Sequence, residues 1–74
     1  MKIGDLVEWV GHHDPVKPLQ PFRICARYEP GHVFETLAGV VTIAEVHYDL
    51  ATPNRPNRVL IGPVGESKLR KVPA

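Results

Sequence analysis

Hydrophobic and polar positions alternate most cleanly from Phe22 to Tyr28. There Phe22, Ile24, Ala26 and Tyr28 occupy one face and Arg23, Cys25 and Arg27 the other. A period of two over this length predicts a half-buried strand. Glu29-Pro30-Gly31-His32 follows, and proline at the second position of a turn with glycine at the third predicts type II geometry. Val33 to Leu37 is then expected to return as the hairpin partner of that strand. Upstream, Lys2 to Val10 predicts a first strand, with Ile3, Val7 and Trp9 sharing a face after a kink at Gly4-Asp5. The most apolar run is Gly39 to Tyr48. Its β-branched residues (Val40, Val41, Thr42, Ile43 and Val46) and its glycine favour strand over helix, with a bend or bulge near Gly39 or Ala44. Asp49 to Asn57 predicts a loop, Arg58 to Gly62 a short strand, and Ser67 to Val72 a closing strand. The alternating runs nominate Val7, Trp9, Phe22, Ile24, Val41, Ile43, Ile61, Leu69 and Val72 as core.

Proline changes this picture in two places. Eight prolines are spread over 74 residues, which excludes long helices, since each would cost about 3 kcal/mol inside one. Pro15, Pro18 and Pro21 fall at every third position of the loop His12 to Pro21, the repeat of a polyproline II segment, which is stiff without internal hydrogen bonds. Such a stretch is also the form that aromatic-lined grooves recognise. The triplet Pro-Asn-Arg occurs twice in tandem, at 53–55 and 56–58. The length allows one domain, 1–74, with a thin core.

Strand, loop, strand, hairpin and short closing strand is the plan of an SH3-like barrel, and local segments are similar to it. Lys2-Ile3-Gly4-Asp5-Leu6-Val7 resembles the opening strand of small SH3-like proteins, many of them from phages and mobile elements. Gly39-Val40-Val41 resembles the Gly-x-Val step of a middle strand, and Ser67-Lys68-Leu69-Arg70-Lys71-Val72 resembles the ending. The resemblance covers roughly twenty residues. It implies an all-β fold, a small SH3-like barrel of about five antiparallel strands with a long proline-rich loop after the first. The segment Gly11 to Ala38 is longer than such proteins usually carry there. One enzyme family of this plan, the plasmid-borne dihydrofolate reductases, has a Val-Gln-Ile-Tyr segment in its pore. The corresponding run here, Arg58-Val59-Leu60-Ile61, lacks both glutamine and tyrosine.

Charge divides the chain. Met1 to Thr52 holds four Lys and Arg against seven Asp and Glu, a balance of −3, whereas Pro53 to Ala74 holds five against one, a balance of +4. Arg55, Arg58, Lys68, Arg70 and Lys71 are therefore the candidate binding residues for a partner or for nucleic acid, with Tyr48 and Trp9 as stacking surfaces. Cys25 is the sole cysteine, which excludes an internal disulfide. A nucleophilic role would draw on its flanking arginines to lower its pKa, but no nucleophile motif surrounds it and a structural or idle thiol is expected. His12-His13-Asp14 is the most metal-like cluster, but adjacent side chains on extended backbone diverge, so a site would need His32 or His47 as well. No phosphate-cradling glycine loop or nucleophile elbow occurs. These observations lead to the expectation of a non-catalytic protein-interaction module with no cofactor and no metal. Nucleic-acid binding through the basic C-terminal portion is the alternative. Self-association as a dimer is expected from the thin core and open strand edges. No apolar stretch is long enough for a membrane span and no signal-peptide core is present, so the cytoplasm is the expected location.

Overall fold

A computed structural model describes residues 1–10 and 21–73. The expectations for His12, His13, Asp14, Pro15 and Pro18 fall outside those residues. The described chain is all-β, with strands β1 (Leu6–Trp9), β2 (Phe22–Tyr28), β3 (Val33–Thr36), β4 (Gly39–Thr42), β5 (His47–Ala51), β6 (Ile61–Gly65) and β7 (Leu69–Lys71). A 3-10 turn at Glu66–Lys68 precedes β7. Five strands form one antiparallel sheet in the order β6-β5-β2-β1-β7, and β3 and β4 pair only with each other. Among the described residues β6 and β7 share no ladder, so the sheet is open.

The core lies on one face of the five-stranded sheet. Val7, Phe22, Ile24, Tyr48, Leu50, Val64 and Leu69 form its buried cluster, with Met1, Trp9, Val46 and Ile61 packed partly buried against it. Period-two alternation supplies most of it: Phe22 and Ile24 on β2, Tyr48 and Leu50 on β5. Two expected core residues are placed otherwise. Val41 is 48% exposed, because it sits on the separate hairpin, and Val72 is half-buried at the edge, donating its N–H to the Leu6 carbonyl at 2.9 Å.

The pairing also departs from the local pattern. The Glu29–His32 turn forms as its residues require: Gly31 has φ +93° and the His32 N–H donates to the Glu29 carbonyl at 3.1 Å. The strand after it does not return along β2, however. Val33 pairs with Thr42 and Thr36 with Gly39, while β2 takes β5 as its neighbour, Tyr28 opposite His47 and Arg23 opposite Ala51. The apolar run expected as one strand is thus split at 43–46 into β4 and β5. β6 begins three residues later than expected and runs through Pro63 to Gly65. Proline is tolerated there because β6 is an outer strand and need not donate to a further neighbour.

Both strands flanking β5 carry an extra residue at the same level. On β2, Ile24 and Ala26 face Leu50 and Asp49, leaving Cys25 without a ladder partner. On β6, Val64 and Ile61 face Tyr48 and Leu50, so Gly62 and Pro63 together oppose Asp49. Two bulges meeting at one residue bend the strands locally and let a charged side chain occupy the sheet. The Asp49 carboxylate accepts the Tyr28 hydroxyl at 2.6 Å, and its backbone carbonyl accepts the Cys25 thiol at 3.4 Å.

Candidate functional surfaces

The two Pro-Asn-Arg triplets build the most distinctive polar feature. Each supplies one β-turn in the loop between β5 and β6. The Arg55 N–H donates to the Thr52 carbonyl at 3.1 Å, and the Arg58 N–H to the Arg55 carbonyl at 3.2 Å. Proline fixes the second position of each turn and asparagine fills the third. Among the described residues only glycines have positive φ, which makes both turns type I in character. Arg55 closes the first turn and opens the second, and Arg58 closes the second, so the two arginines are the end residues of one β-turn. Arg55 and Arg58 accordingly line the same hollow, of about 490 Å³, together with Thr52, Asn54, Val59 and Leu60. Among the described residues neither guanidinium is paired with a carboxylate.

The remaining basic residues are distributed elsewhere. Arg70 is paired with Glu8 across the β1–β7 ladder, and Lys71 lies 3.8 Å from Asp5. Lys68 lines a second hollow with Trp9, His47, Ile61 and Pro63. The positive excess of the C-terminal third therefore does not gather into one patch containing all five residues. Tyr48 is fully buried, and its hydroxyl donates to the Glu66 carboxylate at 3.0 Å, with the Met1 carbonyl 3.3 Å away. A ring in that position has no face to offer a base, which corrects its expected role as a stacking surface.

The surroundings of Cys25 do not activate its thiol. Burial pushes its pKa up, and the nearby Asp49 charge adds to the shift. The flanking arginines are directed elsewhere: Arg23 donates to the Gly4 carbonyl at 2.6 Å and Arg27 pairs with Glu29. The thiolate is the reactive form, so a raised pKa reduces it at neutral pH. Among the described residues no group of three metal-ligating side chains converges. His32 stacks in a trio with Tyr28 and Phe34, with ring centroids 4.7–5.0 Å apart. His47 Nδ1 sits 2.9 Å from the Glu45 carbonyl. No described helix is long and apolar enough to cross a membrane.

The β3–β4 hairpin carries the apolar exposure that the sequence pattern assigned to a core strand. Val33, Leu37, Val40 and Val41 are all exposed, Leu37 completely and Val40 to 68%. Its tip is a tight reversal in which Leu37 and Ala38 keep negative φ while Gly39 takes φ +122°. The Thr36 hydroxyl donates to the Gly39 carbonyl at 2.7 Å and accepts the Ala38 N–H at 3.2 Å. At its base the hairpin is rooted by buried Ile43, whose N–H and carbonyl bond to His32 and Gly31, and by Phe34 edge-on to Tyr28. Beneath it Phe34, Val41, Ile43, His47 and Pro63 line a mainly apolar hollow. The chain matches no known family model, no curated protein and no solved structure.

Proposed function

We propose that this chain is a small β-barrel of the SH3-like plan that acts as a non-catalytic protein-interaction module, with the β3–β4 hairpin and the hollow beneath it as the docking surface. The order β6-β5-β2-β1-β7 supports the fold reading. In it the last strand returns beside the first, and three strands follow as a meander, which is how an SH3-like chain runs.

The observation that carries the functional reading is the hairpin's exposed apolar surface. A two-stranded hairpin standing alone is marginal in water, yet this one is braced at its base and spends four large apolar side chains on solvent. Val33 and Val40 lie on one face of the hairpin, Val41 on the other beside Phe34, and Leu37 at the tip. One small element thus presents apolar side chains on both faces, and apolar exposure concentrated on one element marks an interaction site more often than scattered single residues do. The outer strands of the main sheet are poor alternatives. β6 includes Pro63, which has no N–H, and β7 is three residues long and carries Arg70 and Lys71. Short, charged or proline-bearing edges resist strand addition. Among the described residues nothing pairs with the outer edge of either hairpin strand.

A second copy of the chain is the first partner to test. Sedimentation velocity across a concentration series should show a reversible dimer for the natural protein and a monomer for the double variant Leu37→Asp, Val40→Lys. The variant should keep its melting midpoint, since exposed substitutions usually change stability by about 0.5 kcal/mol or less. A natural protein that stays monomeric, and that retains no more cellular protein on a column than the variant does, would overturn the assignment.

A further inference from the structure

We propose that the tandem-turn loop between β5 and β6 is a phosphate-binding site for the backbone of a single-stranded nucleic acid, with Arg55 and Arg58 as its contacts. The inference is independent of the hairpin reading above, because it uses a different loop and a different chemistry.

It begins with the repeat. Random placement of two arginines on a nine-residue loop gives no reason for their side chains to meet. Here the repeated Pro-Asn-Arg triplet makes two consecutive turns that share Arg55, and Arg55 and Arg58, at the ends of the second, line one hollow. Arg55 and Arg58 are the two ends of one hydrogen-bonded β-turn, whose end α-carbons lie within about 7 Å, so the two guanidiniums are rooted close together. Like charges held near one another repel, and among the described residues no carboxylate relieves them. An incoming anion does. Guanidinium is the side chain best matched to phosphate, since its planar fork offers paired donors in a fixed geometry. The Thr52 and Asn54 side chains in the same hollow add hydrogen-bonding capacity.

The rest of the lining selects among phosphate carriers. Val59 and Leu60 are 54% and 46% exposed and border the arginines. A small inorganic anion would leave that apolar wall in water. A phosphodiester strand with unstacked bases brings both the charge and a flat apolar body to cover it, whereas a duplex hides its base faces. Arg70 and Lys71 are already neutralised by Glu8 and Asp5, which confines the site to the loop.

Binding is read by fluorescence anisotropy with labelled oligonucleotides, single-stranded and duplex, of both DNA and RNA, at salt concentrations rising from about 50 mM. The natural protein should bind the single strands, with affinity falling linearly on a logarithmic salt scale. Arg55→Ala with Arg58→Ala should flatten that slope by about 1.4, since each phosphate contact on a single strand contributes about 0.7. Arg70→Ala with Lys71→Ala should leave it nearly unchanged, and melting curves should show both double variants folded. No binding to any single strand at the lowest salt, or an unchanged slope in the loop variant, would overturn the site. Equal affinity for duplex would overturn the assignment to single strands.

Discussion

Asp49 shows how one residue can organise its neighbourhood. It lies on the middle strand of the β2–β5–β6 meander, where an ionised side chain would ordinarily be costly. The bulges on both sides make room for it, the Tyr28 hydroxyl satisfies one carboxylate oxygen, and that hydrogen bond is the main reason the Tyr28 pKa is raised. Gly62 is the other half of the arrangement. Its φ is ordinary, so glycine is needed there for space rather than conformation. A Cβ at Gly62 would collide with the Asp49 carboxylate and stand 3.0 Å from the Asp49 Cα. Gly62→Ala should therefore destabilise the protein by about 1–3 kcal/mol, the usual cost of overpacking where backbone must shift. Urea denaturation checks this, and a midpoint equal to that of the natural protein would mean that the β6 bulge yields freely.

The hairpin behaves as an element with its own stability, because β3 and β4 pair only with each other. Gly39 has φ +122°, with open space around its α-carbon, so any penalty from a side chain there is conformational and not steric. Gly39→Ala should strain the tip by about 1–3 kcal/mol. The loss should be local: amide exchange across Val33–Thr42 should accelerate, while protection in β2 and β5 stays as it was. Equal loss of protection in both sheets would mean that the hairpin and the main sheet open together.

Across the whole molecule, electrostatics set the acid limit of stability. Asp5 and Glu45 both have pKa values held below the ordinary range, Asp5 chiefly by the Lys2 backbone N–H and Glu45 chiefly by the Ser67 backbone N–H. Glu45 also accepts the Ser67 hydroxyl at 3.0 Å, capping the 3-10 turn from a distant segment. A carboxylate with a lowered folded-state pKa contributes stability above its unfolded value and loses it as pH falls through the folded one. Melting temperature should thus decline as pH drops below about 4.5. Glu45→Gln should lower the neutral-pH melting temperature and make that decline shallower. A variant with an acid limb parallel to the natural one would remove Glu45 from this role.

The same scale shows what was legible beforehand. The all-β class, β2 and the Glu29–His32 turn follow from alternation and turn chemistry, which are local. Pairing is not local: the apolar run 39–48 carries no proline to mark its break, so only tertiary packing separates β4 from β5. A tyrosine beside a basic loop fits stacking, which is why the sequence alone suggests a stacking role for Tyr48. Its signal was available, since Tyr48 and Leu50 alternate with His47 and Asp49 across the expected strand boundary. The charged Asp49 obscured it, because bulges that accommodate a carboxylate leave no mark in one sequence. For the candidate sites, the tandem triplet was visible as a repeat, but the sharing of one hollow by its arginines depends on turn geometry. The pairing of Arg70 and Lys71 with β1 depends on strand order.

Tyr28 and His47 stand opposite one another on adjacent strands, so everything from Glu29 to Val46 leaves the sheet and re-enters it through a single doorway. Apart from the anchors Phe34, Ile43, Glu45 and Val46, that excursion can change length or tip chemistry while the ladder on either side keeps its register. Natural variation and deliberate grafting both have an address here: a new recognition hairpin needs only to preserve two ends that already lie a strand's width apart.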